Sequence, residues 1–530
     1  MNIENKNPSD IEIKNLIKEF QNGRLNIAIK LALSITERFP KHQFTWKILG
    51  VLFGITGKVH DAIQANQKAI SLLPTDSESH NNLGNSLRTL GKINEAITSY
   101  KQAITLKPNY AEAHNNLAIS LQGQGLLNEA IRSYKQAIAL KPHYAEAFNN
   151  LALTQKELGK LEDSEINYKK AIELNPKYTE AYNNLALTQK ELGKLEDSEI
   201  NYKKAIELRP DYAEANFNLS ILLNLKGNLK LGLKLYEWRL HKKERIAKAP
   251  RKELIWDGIE TIKNKKFLVY EEQGIGDTIQ FYRYLLLLQQ KGAEVIFKVS
   301  PKLHNLFKSP DNKIQFVDTL DEGFKFNFET PLMSLPHLFK ADIDKIPTFI
   351  PYVNVDAKKK AEWSKKLITD KFKVGICWQG SKKKIDVGRS FPLSYFKDIS
   401  KIKGVKLISL YKGEDENKTF NLDFDLTTFE NTFDEGNNAF IDTAAVIMNC
   451  DLVITSDTVI AHLAGALGKP VWVALKYIPD WRWMLKRSDS PWYPTMILYR
   501  QKDLNNWDTV FSSIKKDLIA IINQEKLNLS

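Results

Sequence analysis

The sequence predicts a chain in two parts, an all-α repeat array followed by an α/β half built from two successive parallel-sheet lobes. Two observations support this fold class. Prolines and glycines recur at a constant interval through the first half, whereas short apolar strands alternate with glycine-containing turns and amphipathic helices in the second. The chain has 530 residues, and single cores stop growing at roughly 250 to 300 residues, so more than one domain is expected.

The repeat in the first half has a period of 34 residues, which is the tetratricopeptide period. Residues 149–174 recur unchanged at 183–208, which indicates an internal duplication. The chain therefore resembles a tetratricopeptide α-superhelix, predicted for residues 1–246 with degenerate end units. The period is marked by Pro40, Pro74, Pro108, Pro142, Pro176 and Pro210, and by glycines suited to left-handed turns at Gly23, Gly57, Gly91, Gly125, Gly159, Gly193 and Gly227.

One polar position keeps the same period on the first helix of each unit, and it is always asparagine. In tetratricopeptide proteins this position faces the concave groove, and in the protein O-GlcNAc transferases a similar ladder holds an extended peptide. An amide carries a donor and an acceptor, so it can pair with peptide groups whatever their sequence. A peptide groove and a purely structural ladder are both compatible with these residues, which are Asn82, Asn116, Asn150, Asn184 and Asn218.

The sequence of the second half predicts three segments. They are an irregular linker over residues 247–265, a first Rossmann-like lobe over 266–356 and a second lobe over 357–530 that ends in a helix. The first lobe begins with a strand at 266–270, a turn containing Gly274 and Gly276, a helix at 277–290 and a strand at 294–299. The second lobe has strands at 373–381 and 405–411, then a helix through Met448 that Asp442 is predicted to cap.

The stretch from Ile454 to Leu475 predicts a strand, an anion-binding turn, a helix rich in small residues and a second strand. Ser456 and Asp457 lie in the turn, and Thr458 is predicted to begin the helix. Unpaired backbone N–H groups and the helix dipole both favour negative charge at such a helix start. The stretch is therefore predicted to bind the diphosphate of a nucleotide sugar.

Motifs spread over residues 271–495 carry a more specific resemblance. They are GIGDTIQFYRYLLLL, PLMSLPHLF, VGICWQGS, RSFPL, SDTVIAHLAGALGKPVWVAL, PDWRWML and SPWYPT, in that order. They resemble the transferase domain of bacterial tetratricopeptide proteins related to the ADP-heptose:lipopolysaccharide heptosyltransferases. That resemblance implies a GT-B fold, in which two Rossmann-like lobes enclose a cleft. The plan of a repeat array joined to a GT-B domain is also similar to that of the protein O-GlcNAc transferases.

The resemblance implies an inverting sugar transfer that needs no metal ion and no cofactor. Asp277 matches the family position proposed for the base that takes the acceptor proton, although a helix N-cap is an equally ordinary use of this aspartate. Arg389 occupies the place of a family basic residue, Asp457 that of an aspartate contacting the donor sugar, and His462 that of a histidine near the donor. The remaining predicted donor contacts are Gly274, Gly276, Gln379, Gly380, Ser381, Ser456 and Thr458.

Charge, hydropathy and cysteine content limit the classes of function that the chain can have. The net charge of +13 is spread along the chain, so nucleic-acid binding is not expected, and it suits anionic ligands such as sugar diphosphates. No apolar run long enough for a membrane span and no signal sequence is evident, which predicts a cytoplasmic protein and leaves peripheral membrane contact open. Cys377 and Cys450 are expected in the core, and no metal pattern is present.

The sequence thus predicts a glycosyltransferase whose partners are a nucleotide-sugar donor, a protein or peptide in the repeat groove, and a glycan or protein acceptor. A protein O-glycosyltransferase of the O-GlcNAc-transferase type is one alternative. A non-catalytic tetratricopeptide scaffold with a vestigial transferase domain is another. A third is a nucleotide-sugar epimerase or hydrolase on the same two-lobed fold.

Overall fold

A computed structural model describes residues 7–242, 250–309, 313–321, 323–380, 388–413, 422–430, 432–436 and 438–529. The chain divides after Pro210 into two compact units. None of the helices in the described ranges combines the length and apolar character that crossing a membrane requires.

The first unit consists of helix pairs, one pair to each 34-residue repeat. Its helices are α1 (Asp10–Gln21), α2 (Leu25–Arg38), α3 (Gln43–Ile55), α4 (Val59–Leu72), α5 (Ser77–Thr89), α6 (Ile93–Leu106), α7 (Ala111–Gly123), α8 (Leu127–Leu140), α9 (Ala145–Glu157), α10 (Leu161–Leu174), α11 (Thr179–Glu191) and α12 (Leu195–Leu208).

Each repeat depends on a glycine in the turn between its two helices and on close packing of those helices. The glycines between paired helices, from Gly23 to Gly193, adopt φ angles between 71° and 81°, a region that glycine enters without strain. Second helices bury tyrosines against small residues of the first, and a Cβ atom on Gly84 would lie only 2.6 Å from the ring of Tyr100. First helices of successive repeats contact each other directly, α3 with α5, α5 with α7, α7 with α9 and α9 with α11.

The second unit opens with one more helix pair, α13 (Ala213–Leu225) and α14 (Leu229–Tyr236), followed by a 3-10 turn over Glu237–His241. Leu229 and Tyr236 are buried in the same apolar core as Phe267 of the first sheet. The last predicted repeat is therefore built into the α/β core.

The first sheet has four parallel strands in the order β3-β2-β1-β4. They are β1 (Lys266–Tyr270), β2 (Glu294–Lys298), β3 (Gln315–Val317) and β4 (Phe328–Pro331). Helices α15 (Ile275–Phe281) and α16 (Arg283–Gln290) follow β1, α17 (His304–Phe307) follows β2, and α18 (Leu335–Leu338) follows β4. The helix predicted at 277–290 is thus interrupted at Tyr282.

The second sheet has five parallel strands in the order β6-β5-β7-β8-β9. Helix α19 (Ala357–Lys366) precedes it. Its strands are β5 (Phe372–Cys377), β6 (Val405–Ser409), β7 (Leu452–Ser456), β8 (Val471–Leu475) and β9 (Met496–Arg500), and its helices are α20 (Lys397–Ser400), α21 (Ile441–Asn449), α22 (Val459–Ala466) and α23 (Asp508–Leu529). The predicted helical array followed by two parallel sheets is confirmed.

The predicted cap of α21 is wrong. Asp434 caps this helix, because its Oδ1 accepts the backbone N–H groups of Asp442 at 2.8 Å and Thr443 at 3.2 Å. Asp442 instead accepts the indole N–H of Trp363 at 2.8 Å. Asp434 lies outside the short spacing of a local capping motif, so the sequence pattern pointed to the nearer aspartate.

Overpacking a small-residue position should destabilise the repeat array. Ala152 is fully buried, so Ala152→Leu is expected to lower the free energy of unfolding by about 1–3 kcal/mol, measured by urea denaturation. Ala139→Leu makes the same change at an exposed position of α8 and should have little effect. Equal stabilities for the two variants would contradict the tight packing described above.

Candidate functional site

Strand order identifies where each parallel sheet can bind a ligand. In open parallel sheets, ligands bind beyond the carboxyl ends of the strands, where successive connections lead to opposite sides. In the second sheet this point lies between β5 and β7, because the chain proceeds from β5 to β6 on one side and then to β7 on the other. The residues after these two strands include Gln379, Gly380, Asp457 and Thr458, four of the predicted donor contacts.

The turn after β7 connects the strand to α22, as predicted, and Thr458 rather than Asp457 caps the helix. Thr458 is the N-cap of α22, and its hydroxyl accepts the N–H of Ile460 at 3.3 Å. Asp457 therefore does not cap the helix, and its carboxylate is left for other partners. Ser456 ends β7 with its side chain fully buried.

Arg389 lies at the carboxyl end of β5, as the donor-site prediction requires. A Cβ atom on Gly380 would lie 2.7 Å from Nη2 of Arg389, so the absence of a side chain at Gly380 makes room for the guanidinium. The N–H of Gly380 donates to Oγ of Ser390 at 3.3 Å, which holds the two segments together. Ser381, another predicted donor contact, lies outside the described residues.

The two glycines after β1, Gly274 and Gly276, have different structural roles. Gly274 is the N-cap of α15 with φ −102°, and the left-handed residue of this turn is Gln273, with φ 65°. Gly276 instead allows the backbone of α15 to lie close to His462, because a Cβ atom at this position would lie 3.0 Å from Cδ2 of His462. Helix α15 of the first sheet and helix α22 of the second therefore pack directly together.

Asp277 has both carboxylate oxygens engaged. Oδ2 accepts the N–H of Gly274 at 2.9 Å, which completes the N-terminal cap of α15. Oδ1 accepts a hydrogen bond from Nη2 of Arg482. Burial raises the pKa of the Asp277 carboxyl, and the positive charge of Arg482 opposes that shift. The structure thus shows the capping role, and it shows an ionic partner that the sequence did not predict.

The sequence marks Arg482 only as a possible wall of the cleft, together with Asp480, Trp481 and Trp483, and it did not predict the ionic contacts of Arg482. Its side chain is only 8% exposed, and Nη1 donates to Oδ1 of Asp480 at 2.7 Å while Nη2 reaches Asp277. Asp480 also caps the short helix Trp481–Trp483 by accepting the N–H of Arg482 at 3.0 Å. The motif PDWRWML was the available signal, but nothing in its spacing reveals a partner about two hundred residues away.

His462 is held as a buried, neutral imidazole. Its Nδ1 lies 3.1 Å from the hydroxyl of Tyr493, and its ring stacks on Trp483 with centroids 5.2 Å apart. Burial, reinforced by the charge of Arg482, lowers the pKa of His462 to about 3. It can therefore donate or accept a hydrogen bond near neutral pH, but it does not supply positive charge.

Asp457 titrates closer to neutrality than an ordinary aspartate. Burial, and then the negative charge of Asp480, raise the pKa of Asp457 to about 6, whereas the pKa of Asp480 is lowered by Arg482. Two neighbouring carboxyls with pKa values shifted in opposite directions can take different protonation states, as is common in acid–base sites.

The first sheet has a second unpredicted feature at its carboxyl end. Arg239, from the turn after α14, is 1% exposed and donates to Oε1 of Glu272 at 2.6 Å and to Oγ of Ser334 at 2.8 Å. Glu272 follows β1 and Ser334 follows β4, the two strands between which the chain changes side. The hydroxyl of Tyr236 accepts a hydrogen bond from Nε2 of Gln273 at 2.8 Å. The end of the repeat array thus closes this part of the sheet edge.

The asparagine ladder is hydrogen-bonded along the array. Nδ2 of Asn116 donates to Oδ1 of Asn81 at 3.0 Å, and Nδ2 of Asn150 donates to Oδ1 of Asn115 at 3.4 Å. Asn184 makes the corresponding bond to Asn149 at 3.5 Å. Each amide uses one N–H group in this way and carries a second, so a structural role and peptide binding are compatible. Asn82 and Asn218 occupy the same helical position, and all five predicted residues are partly exposed.

Comparisons with known proteins agree with the helical array. Family models described as TPR repeat match residues 84–125 and 123–159, and models described as tetratricopeptide repeat match 65–98, 167–200 and 145–178. The chain is 23% identical to protein FlbA of Caulobacter vibrioides over 321 residues, 56% of this chain and 53% of FlbA. The chain thus spans about half the length of this curated relative.

Solved structures resemble the repeat part. MamA is 28% identical, with 31% of this chain and 97% of MamA covered and a TM-score of 0.29. TTC0263 of Thermus thermophilus is 24% identical, with 34% and 98% covered and a TM-score of 0.30. YrrB, described as a TPR protein with an unusual peptide-binding site, is 17% identical, with 35% and 95% covered and a TM-score of 0.30. The chain carries tetratricopeptide repeats, a module that binds proteins or peptides.

The raised pKa of Asp457 has a consequence for stability. A carboxyl whose pKa is higher folded than unfolded costs stability above the folded pKa, and this cost disappears as the pH falls through the folded value towards the ordinary one. Asp457→Asn is therefore expected to be more stable than the unchanged protein at pH 8, by up to ~3 kcal/mol, with the difference narrowing from about pH 6 to pH 4. Urea denaturation across this pH range measures the effect, and a difference independent of pH would contradict it.

The contact of Gly276 with His462 predicts a steric effect. Gly276→Leu must separate α15 from α22, so it should lower the unfolding free energy by about 1–3 kcal/mol or more. A Cβ on Gly323 meets no atom within 4 Å, but its φ of 92° makes it a poor control. Ile275→Leu, at a 41% exposed neighbouring position, is the better comparison and should be nearly neutral.

Proposed function

We propose that this chain is a glycosyltransferase that moves a sugar from a nucleotide-diphosphate donor to an acceptor hydroxyl without a metal ion, while its repeats recruit a protein or peptide. One observation carries the proposal. The helix that follows β1 packs on the helix that follows β7, with Gly276 against His462 and Asp277 paired with Arg482. Each helix begins at the carboxyl edge of its sheet, where parallel sheets bind ligands, and a GT-B enzyme uses two such edges as the walls of one cleft.

The donor diphosphate is assigned to the carboxyl edge of the second sheet. Arg389 supplies positive charge beside Gly380, and the first backbone N–H groups of α22 supply neutral donors. Both kinds of donor stabilise the negative charge that develops on a leaving diphosphate. Asp457, whose pKa of about 6 lets it be partly protonated near neutrality, is assigned to a hydroxyl of the donor sugar.

Asp277 is assigned as the base that takes the acceptor proton. An inverting transfer needs a base on the face of the sugar opposite the leaving group, and a raised carboxyl pKa favours proton acceptance. One of its two present hydrogen bonds must then be exchanged for the acceptor hydroxyl. Arg482 is also bound to Asp480, so it can keep a carboxylate partner when its contact with Asp277 is released.

A non-catalytic scaffold is the second candidate, and the engagement of both Asp277 oxygens favours it. In that case the Asp277–Arg482 pair holds α15 against α22, and the repeats perform the whole function by binding proteins. A protein O-glycosyltransferase is a special case of the first candidate, the glycosyltransferase, because the recruited peptide would itself carry the acceptor hydroxyl. A nucleotide-sugar hydrolase or epimerase would turn the donor over without any acceptor.

Donor binding and turnover separate these candidates. The purified chain is screened by thermal shift against ADP-, GDP- and UDP-sugars, and nucleoside diphosphate release is then measured with and without cell extract as acceptor. A transferase should release diphosphate only when the acceptor is added. Stabilisation by none of the donors would favour the scaffold, and release without acceptor would favour the hydrolase or epimerase.

The role of Asp277 is tested by Asp277→Asn. This variant should bind the donor as before but turn it over about 10²–10⁴-fold more slowly, because it lacks the general base. Asp398→Asn removes an exposed carboxylate of the same unit and should leave turnover unchanged. Full turnover by Asp277→Asn would remove Asp277 as the base.

The recruitment role is tested by deleting residues 1–210. A longer deletion through residue 246 would also remove Tyr236 and Arg239, which belong to the core and sheet edge of the second unit. The shorter deletion is expected to keep donor binding and lose transfer to the recruited acceptor. Unchanged acceptor use would contradict the recruitment role.

A further inference from the structure

Two adjacent repeats provide an internal comparison. Residues 145–178 and 179–212 differ only at the pairs 145/179, 148/182, 175/209 and 177/211. The third pair changes charge at a position that is basic in three other repeats, since Asn175 takes the place held by Lys107, Lys141 and Arg209, and apolar in two, at Phe39 and Leu73.

In the preceding repeat, residues 111–144, this basic side chain lies between a glutamate and a tyrosine of the same repeat. Nζ of Lys141 lies 2.7 Å from Oε1 of Glu112 and 4.6 Å from the ring centroid of Tyr144. Arg209 makes the corresponding ion pair with Glu180 at 2.9 Å. A carboxylate beside an aromatic face is therefore a cation site that this fold already fills with its own chain.

The same site is left without its cation in the repeat 145–178. Oδ1 of Asn175 accepts the backbone N–H of Lys177 at 3.2 Å, so this amide stabilises its own turn. Glu146 is exposed, and no basic side chain in the described ranges forms an ion pair with it. Burial, followed by the charges of Glu146 and Glu180, raises the pKa of Tyr178 to about 12, which reflects how close these groups lie.

We propose that Glu146 and Tyr178 form a binding recess for a lysine or arginine side chain of the protein recruited by the repeats. The recess supplies the carboxylate and the half-buried aromatic face that Lys141 finds in the preceding repeat. It lies at the start of α9, the helix that carries Asn150 of the ladder. A peptide bound by the ladder amides would thus be recognised at one basic residue, and this contact would fix the register of the peptide along the array.

We infer a basic occupant because the recess is acidic and none of the basic side chains that the structure describes forms an ion pair with Glu146. A neutral or acidic side chain would leave Glu146 unpaired and gain nothing from the carboxylate. Asn175→Arg should fill the recess with the chain's own cation, because Arg209 occupies this place in the nearly identical next repeat. The inference rests on the recruitment role of the repeats and is independent of sugar transfer.

Random 12-residue peptides displayed on phage are selected in parallel on the full chain, on Asn175→Arg and on Glu146→Gln. The unchanged chain should enrich peptides with lysine or arginine at one position, and both variants should lose that preference. Replacing the enriched basic residue by norleucine should weaken binding to the unchanged chain about three- to tenfold in fluorescence anisotropy, and should not weaken binding to Asn175→Arg.

The matched control is Glu196→Gln, an exposed charge change on α12 that should keep the basic preference. Thermal unfolding followed by circular dichroism verifies that Asn175→Arg is folded. A basic preference that survives in Asn175→Arg, or enriched peptides without any such preference, would overturn the recess alone. Enrichment of no peptide at all would overturn the recess together with the recruitment role.

Discussion

The second unit depends on a buried guanidinium shared between two carboxylates. Arg482 is fixed by Asp480 within its own short helix and reaches Asp277 at the start of α15. A guanidinium removed from water is stable only while its carboxylate partners remain, and breaking such a pair typically costs about 3–5 kcal/mol. This ion pair therefore joins the turn after β1 to the segment after β8, and it brings residues that follow strands of both sheets close together.

The guanidinium of Arg482 also influences the protonation of the surrounding groups. Burial lowers the pKa of His462 and the charge of Arg482 adds to that shift, and the same charge lowers the pKa of Asp480. Burial raises the pKa values of Asp277 and Asp457. The site consequently holds a neutral imidazole and carboxyls with different proton affinities within a small volume. This difference in proton affinity is compatible with the proposed sugar transfer, in which one group accepts a proton while others bind neutral hydroxyls.

In the repeats, one residue type makes structural hydrogen bonds and is also proposed to bind a peptide. Asparagine amides donate one N–H to the preceding repeat and retain another, so the ladder is oriented before any peptide arrives. Preorganised donors reduce the entropy lost on binding. The final repeat has a different role, because Tyr236 and Arg239 are committed to the core and sheet edge of the α/β unit. The last helix pair of the array proposed to recruit a protein thus belongs to the unit proposed to carry the chemistry.

The sequence by itself determined the helical array and the two parallel sheets, because these follow from local periodicity. The 34-residue spacing of glycine and proline predicts helix ends, and apolar runs such as 266–270 and 405–411 predict strands to within a residue or two. The family resemblance of the motifs indicated Asp277, Arg389 and Asp457 as site residues. Their present partners come only from the tertiary structure. Asp277 meets Arg482, Asp434 rather than Asp442 caps α21, and Gly276 makes room for His462. Two of these contacts join residues that are far apart in the chain, and the cap of α21 lies outside the spacing of a local capping motif. A single sequence contains no periodic signal that predicts contacts of either kind.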